Sequence, residues 1–239
     1  MILLIDAGNT RIKWAVYRGG DIQLGQGAVA HDDVTALKAA WAAFPLRRAY
    51  GAAVVQPALI QQIAAQAPCP IEWVRTLPAA AGVRNHYADP AQMGVDRWLS
   101  VLAARRLVPG DVVVAGAGTA LTIESLTAEG DYLGGLIVPG YRLMLASLAD
   151  NTARLNQPAG DWCAFPSCTQ DALETGALEA MAGAVERARQ RLARHTGRML
   201  PPVLLSGGDA DRIAPLLASP CQIVDNLVLT GLLEVADKT

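Results

Sequence analysis

Met1-Ile-Leu-Leu-Ile-Asp6-Ala-Gly-Asn-Thr10-Arg-Ile-Lys-Trp-Ala-Val-Tyr17 is the stretch from which the fold is read. Ile2 to Ile5 are apolar and β-prone, and the run stops at Asp6-Ala-Gly-Asn-Thr10. Beyond the stop, Ile12, Trp14 and Val16 alternate with Lys13, Ala15 and Tyr17. That pattern predicts a strand, a tight turn and a second strand, forming a hairpin. The turn also has a chemical reading. Gly8 permits backbone angles closed to other residues and lets amides approach a ligand. Successive turn amides form a nest for phosphate oxygens, with Asn9 and Thr10 adding side-chain donors. Asp6, at the strand end, can hold Mg²⁺ directly or through water. The same residues read equally as an ordinary hairpin turn, where Asn and Gly are favoured sterically.

Working outward, Arg18-Gly-Gly-Asp21 predicts another turn, with a third strand through about Ala28. Then come a helix over 34–44 starting at His31-Asp-Asp33, a strand over 48–55, a helix over 57–67 and a strand over 71–74. From Arg75 to Met93 the periodicity breaks at Pro78, Gly82, Asn85 and Pro90. A structureless loop of that length in a compact domain is usually functional. A helix over 95–107 ends at Val108-Pro-Gly110.

After that breaker the opening plan returns. A strand over 111–115, a turn at Gly116-Ala-Gly-Thr119, a strand over 120–126, a turn at Glu129-Gly-Asp131 and a strand over 132–138 are predicted. Helices over 142–149 and 169–194 follow, then a strand over 203–205 ending at Ser206-Gly-Gly208. A helix over 210–217, a strand over 222–224 and a helix over 227–235 close the chain. Sequence identity between the halves is slight, so the repeat is one of plan. Hairpins give antiparallel pairs and helical crossovers give parallel ones, so each half is expected to be a mixed sheet flanked by helices, with domains at 1–110 and 111–239. Two Gly/Thr turns, one opening each half, are expected to grip a polyphosphate from both sides. Ser206-Gly207-Gly208 would add a corner suited to nucleoside contact.

Composition excludes other classes. With 52% hydrophobic and 18% charged residues in 239, the chain can bury a core and is not a disordered one. A net charge of −2 gives no electrostatic footprint for nucleic acid or an anionic membrane. The basic run Arg187, Arg189, Arg191, Arg194 and Arg198 reads as a solvated helix face. Cys69, Cys163, Cys168 and Cys221 make no CxxC and have no His at zinc-finger spacing, as expected of thiols in a reducing cytosol. The apolar run after Met1 is too short for a signal peptide, and no run reaches the ~20 apolar residues of a membrane span.

Five segments, in order, carry a family resemblance: Asp6-Ala-Gly-Asn-Thr-Arg-Ile-Lys13, Gly94-Val-Asp-Arg97, Ala117-Gly-Thr-Ala-Leu-Thr122, Gly134-Gly-Leu-Ile-Val-Pro-Gly140 and Ser206-Gly-Gly208. They resemble the superfamily of acetate kinase, sugar kinases, heat-shock chaperones and actin, and within it the type III pantothenate kinases. The phosphate turns mark the superfamily; Gly94 to Arg97, following Tyr87 and Pro90, marks the family. The resemblance implies an α/β fold of duplicated ribonuclease H-like (actin-like ATPase) domains and ATP-dependent phosphorylation of pantothenate. It implies that Asp6, Ala7, Gly8, Asn9, Thr10, Arg11, Ile12 and Lys13 form the first ATP phosphate site, and Gly118 and Thr119 the second, with Gly207 and Gly208 also toward ATP. It makes Asp96 the general base. Tyr87, Gly94, Val95, Arg97 and Thr169 become substrate-binding residues, Thr169 across a dimer interface. Mg²⁺ would accompany ATP, and the protein would be a cytoplasmic homodimer.

Plainer readings stand beside these. Asp96 and Arg97 also read as a helix-start Asp with a surface ion pair. Tyr87 also reads as a loop aromatic, Thr169 as the N-cap of a long helix with Ser167 as rival, and His86 as a bland loop residue. Many family members carry Asp where this chain has Gly116, and that Asp helps bind K⁺ or NH₄⁺. Gly116 offers no carboxylate, so no monovalent-cation ligand is assigned and weak or absent K⁺ activation is expected. A kinase of another small alcohol, or a regulatory protein binding nucleotide without turnover, are the rival functions.

Overall fold

The computed structural model describes residues 1–19, 22–218 and 221–238. Gly20 and Asp21 of the turn expected at 18–21 lie outside the described residues. The chain divides into two compact units, one of Met1–Leu107 with Asn226–Thr239 and one of Val108–Asp225.

In the first unit, β1 (Ile2–Ala7), β2 (Ile12–Tyr17) and β3 (Gln23–Val29) form an antiparallel meander. A 3-10 turn at His31–Asp33 leads to α1 (Ala36–Ala42), and β4 (Arg48–Ala53) then pairs parallel to β1. After α2 (Pro57–Gln66), β5 (Ile71–Trp73) adds parallel to β4. The strand order is β3-β2-β1-β4-β5. Leu3, Leu4 and Ile5 are all fully buried, so both faces of β1 are covered, as a central strand of such a sheet requires.

The stretch expected to be structureless contains β6 (Ala79–Ala80) and β7 (Val83–Asn85), an antiparallel hairpin. Its two turn residues, Ala81 and Gly82, have φ of 51° and 79°. That is the left-handed pair a two-residue hairpin demands, but with Ala where Asn or Asp is the usual signal. A 3-10 turn at Pro90–Gln92, capped by the Asp89 side chain on the Ala91 amide, then leads to α3 (Val95–Leu107).

The second unit repeats the plan. β8 (Val112–Ala117), β9 (Ala120–Leu126) and β10 (Asp131–Pro139) are antiparallel neighbours. α4 (Tyr141–Asn151) and the long α5 (Thr169–Thr196) precede β11 (Val203–Ser206), parallel to β8. The short α6 (Ala210–Ile213), continued by a 3-10 turn, precedes β12 (Cys221–Ile223), parallel to β11. The order β10-β9-β8-β11-β12 reproduces, strand for strand and sense for sense, that of the first unit. This is the duplicated ribonuclease H-like α/β architecture.

Three expectations need correction. The second turn is shorter than 116–119: β8 runs on through Ala117, because Gly116 is a ladder residue paired with Thr122 on one side and Ser206 on the other. Only Gly118 and Thr119 bridge β8 and β9. The last helix, α7 (Leu227–Ala236), expected with the second half, packs against α3 in the first unit. Gly231 permits that approach, since a Cβ there would lie 2.1 Å from the Leu99 carbonyl oxygen. Finally, the basic run on α5 is not uniformly solvated. Arg189 is fully buried, donating to the Pro201 and Ala218 carbonyls and pairing with Glu186 at 2.7 Å.

Candidate active site

In the first unit the β1–β2 connection is a four-residue loop closed by the Gly8 amide donating to Arg11 O, 3.1 Å. Gly8 is not among the positive-φ residues, so it is not there for a backbone angle closed to others. Asn9, Thr10 and Arg11 are exposed, whereas Ala7 and Ile12 are buried core residues that can offer a ligand only backbone. His31 supports the loop from outside: its Nε2 lies 2.9 Å from Gly8 O, and since a carbonyl only accepts, that nitrogen carries the proton. In the sequence His31 marks only a helix start. A contact across so much chain leaves no local signal.

Asp6 stands near the end of β1, opposite Lys13 on β2 and beside Ala52 on β4. Burial pushes its carboxyl up to about 6; Lys13 opposes this and the Asp96 carboxylate adds to it. The fold therefore brings Asp6, Lys13 and Asp96 into one electrostatic neighbourhood.

Asp96 is the second residue of α3, where the helix N-terminus favours a carboxylate. Its side chain folds back over Gly94, so that a Cβ at 94 would lie 2.6 Å from Asp96 Oδ1. Gly94 O accepts the Trp98 amide at 3.1 Å, opening the helix. Arg97 is not a solvated surface side chain. It is 7% exposed, its Nη1 donates to Tyr87 Oη at 3.1 Å, and its guanidinium carbon lies 5.8 Å from the Tyr87 ring centroid. Val95, at the helix start, is buried. The Tyr87 loop is itself pinned. The Tyr87 amide donates to Asn85 Oδ1 and Thr76 Oγ1 donates to Met93 O. His86, next to Tyr87, is exposed.

In the second unit Gly118 and Thr119 make a two-residue corner, with the Gly118 amide donating to Ala120 O at 3.1 Å. Two other segments press on it. The Gly140 amide donates to Thr119 O at 3.0 Å, and a Cβ at 140 would lie 2.1 Å from Gly118 O. Gly207 has φ of +104°, and a Cβ there would lie 2.2 Å from Ala117 O, which also accepts the Asp209 amide. Gly208 is exposed with open space above its Cα. Thr169 is the exposed first residue of α5; the N-cap is Cys168, whose backbone is extended, so neither Thr169 nor Ser167 caps.

A family model of type III pantothenate kinases matches residues 2–191. The chain is 56% identical over 237 residues to the type III pantothenate kinase of Chromobacterium violaceum, covering 99% of this chain and 100% of that one.

The chain belongs to the type III pantothenate kinase family.

The enzyme of the same description from Laribacter hongkongensis is 43% identical over 236 residues, covering 99% and 98%. Among solved structures, the activator of 2-hydroxyisocaproyl-CoA dehydratase from Clostridium difficile, with bound ADPNP, superposes with a TM-score of 0.55 at 12% identity, over 99% of this chain and 93% of that one. At this identity it attests the fold alone. The fold class read from the type III pantothenate kinase segments is thus the observed one. Gly140 ends one of those segments. The structure gives it a role, as a wall of the Gly118–Thr119 corner.

Among the described residues no group of three His, Cys, Asp or Glu side chains is placed to hold a metal ion. None of the four cysteines is in a disulfide. No helix among the described residues is long and apolar enough to cross a membrane.

Proposed function

We propose that this chain transfers the γ-phosphoryl group of ATP to the hydroxyl of pantothenate, giving 4′-phosphopantothenate at the start of coenzyme A synthesis. The observation that carries the assignment is the pairing of Asp96 with Asp6. One carboxylate lies on a helix start and one at the end of the phosphate-turn strand, close enough that the Asp96 charge helps burial hold the Asp6 carboxyl up.

Phosphoryl transfer needs positioning and charge neutralisation more than covalent help. Asn9, Thr10 and Arg11 of the first turn with Lys13 of β2, and Gly118 and Thr119 of the second turn, hold the triphosphate, with Gly207 and Gly208 toward the nucleoside. Asp96 orients the pantothenate hydroxyl and takes its proton as the oxygen bonds to phosphorus and the bond to ADP breaks. Such a base is worth ~10²–10⁴-fold. Arg97, hydrogen-bonded to Tyr87, faces the pantothenate carboxylate, with Gly94 and Val95 shaping the helix start. Thr169 reaches substrate from a partner chain.

Asp6 suits a hard divalent cation. It is an oxygen donor, buried enough to resist ionising alone, and repelled by a neighbouring carboxylate whose effect a cation would offset. Mg²⁺ bound there with ATP would neutralise phosphate charge. Gly116 contributes no carboxylate, so K⁺ or NH₄⁺ activation is weak or absent. Turnover against KCl at constant ionic strength tests this, and a large saturable requirement contradicts it.

The protein acts as a cytoplasmic homodimer, and its two units serve as the two ribonuclease H-like domains. Exposed apolar side chains on α4 and in the following loop, Leu143, Leu148, Trp162 and Phe165, support a dimer through this region. Light scattering decides it.

The function is tested by ADP release with ATP, Mg²⁺ and a panel of alcohols. Pantothenate-dependent release supports the reading. Release with another alcohol but not pantothenate indicates a kinase of different specificity, and ATP binding without release indicates a regulatory protein.

A further inference from the structure

The corner Ala117-Gly118-Thr119 is gripped by two segments that are far apart in sequence. Gly140 grips it on one side through the Thr119 carbonyl. Gly207 and Asp209 grip it on the other through the Ala117 carbonyl. Neither grip is anchored by its own glycine, which has no side chain to anchor with. The next side chains along each segment supply the anchor.

Tyr141 follows Gly140 directly and begins α4. Arg212 lies on α6, and its amide donates to Asp209 O at 3.2 Å, one link beyond the second grip. These two side chains meet. The Arg212 guanidinium carbon is 3.8 Å from the Tyr141 ring centroid. Both then reach one carboxylate, Glu174 of α5: Tyr141 Oη donates to Glu174 Oε2, and Arg212 Nη2 donates to Oε1 at 2.5 Å. Glu174 is 4% exposed and Tyr141 6%, so the carboxylate is a buried charge matched by one cation and one hydroxyl. Losing either partner leaves it under-satisfied.

We infer that Tyr141, Glu174 and Arg212 are positioning residues for ATP use. Glu174, one oxygen to each grip, fixes the spacing of Gly140 and Gly207 and so the shape of the Gly118–Thr119 corner. The three touch no substrate in this account. They act through the corner, and therefore on ATP rather than on the alcohol. The inference rests on the reading of that corner as a phosphate turn.

The test is steady-state kinetics of Tyr141→Phe, Glu174→Gln and Arg212→Lys, with thermal melting alongside. Tyr141→Phe keeps the ring beneath Arg212 and deletes one hydrogen bond to a charged group. It raises KM for ATP about tenfold, the worth of such a bond, and leaves KM for pantothenate within about twofold. Glu174→Gln gives a larger rise in KM for ATP. Arg212→Lys, which keeps the charge, recovers part of what Arg212→Ala loses. A lower melting temperature with both KM values unchanged would show the network to be merely structural and overturn the inference. If the unmutated protein turns over no ATP with any alcohol but still binds it, the kinase reading has failed. Direct ATP titration of the same variants then decides the inference separately: equal affinities across them overturn it.

Discussion

The two units open with the same hairpin but build its turn in opposite ways. In the first, the loop Gly8–Arg11 is four residues long, exposed at Asn9, Thr10 and Arg11, and braced by a long-range side chain, His31. In the second, the connection is two residues, walled by Gly140 and Gly207 and locked through Tyr141, Glu174 and Arg212. The first turn carries its polar groups in its own sequence. The second borrows its shape from segments elsewhere in its unit.

The largest expected effect breaks the rigid turn. Gly207→Ala puts a Cβ against backbone at a positive φ, so the neighbouring chain has to shift. It should cost about 1–3 kcal/mol of stability and reduce kcat/KM for ATP about a hundredfold, measured by urea unfolding and ADP release. The matching change in the adaptable turn, Gly8→Ala, meets nothing closer than Arg11 O at 3.5 Å. Its stability should stay within about 0.5 kcal/mol while ATP affinity falls. Equal losses of stability in the two would erase the contrast.

Next comes Gly94→Ala. The added methyl meets the mobile end of Asp96 rather than backbone, so the helix forms and the carboxylate moves. We expect kcat to fall about tenfold or more, with little change in melting temperature, because small misplacement of a reacting group is costly.

The Asp6 carboxyl gives a pH signature. Its folded pKa is raised, so the stability it contributes is fully present below its ordinary value of 3.8 and is lost as pH rises through about 6. Asp6→Asn should therefore stabilise the ligand-free protein above pH 6, by about 1–3 kcal/mol. In the unmutated protein kcat/KM for ATP should decline as pH falls below 6, where Asp6 gains its proton, and Asp6→Asn should flatten that limb. A profile with no bend near 6 contradicts the assignment.

The smallest effect is expected at His31. His31→Ala removes one hydrogen bond to Gly8 O and should raise KM for ATP by about fivefold, with His31→Gln restoring part of it. KM for pantothenate is the control.

Much of this was legible in the sequence because the signals are local. Alternation after Asp6, the breaker at Val108-Pro-Gly110 and the 3.6-residue periods gave the strands, helices and repeated plan. The β6–β7 hairpin was missed because Ala81 occupies a left-handed position with no sequence mark. The second turn is shorter than its residues suggest because Ser206, a distant partner on β11, joins Thr122 and Leu121 across the hairpin in extending β8 through Gly116 and Ala117. The placement of α7 depends on a packing choice at Gly231 that periodicity cannot express. Site residues showed the same division. Asp6 and the Gly94–Arg97 segment stand out as motifs, whereas His31, Gly140, Glu174 and Arg212 matter only through contacts the chain makes after folding.

The most direct test of the account is the Asp96→Asn protein, assayed for phosphopantothenate by mass spectrometry and for ligand binding by calorimetry. Product formation should be ~10²–10⁴-fold slower, with ATP and pantothenate still bound at near-normal affinity. Undiminished turnover in that variant would contradict the account.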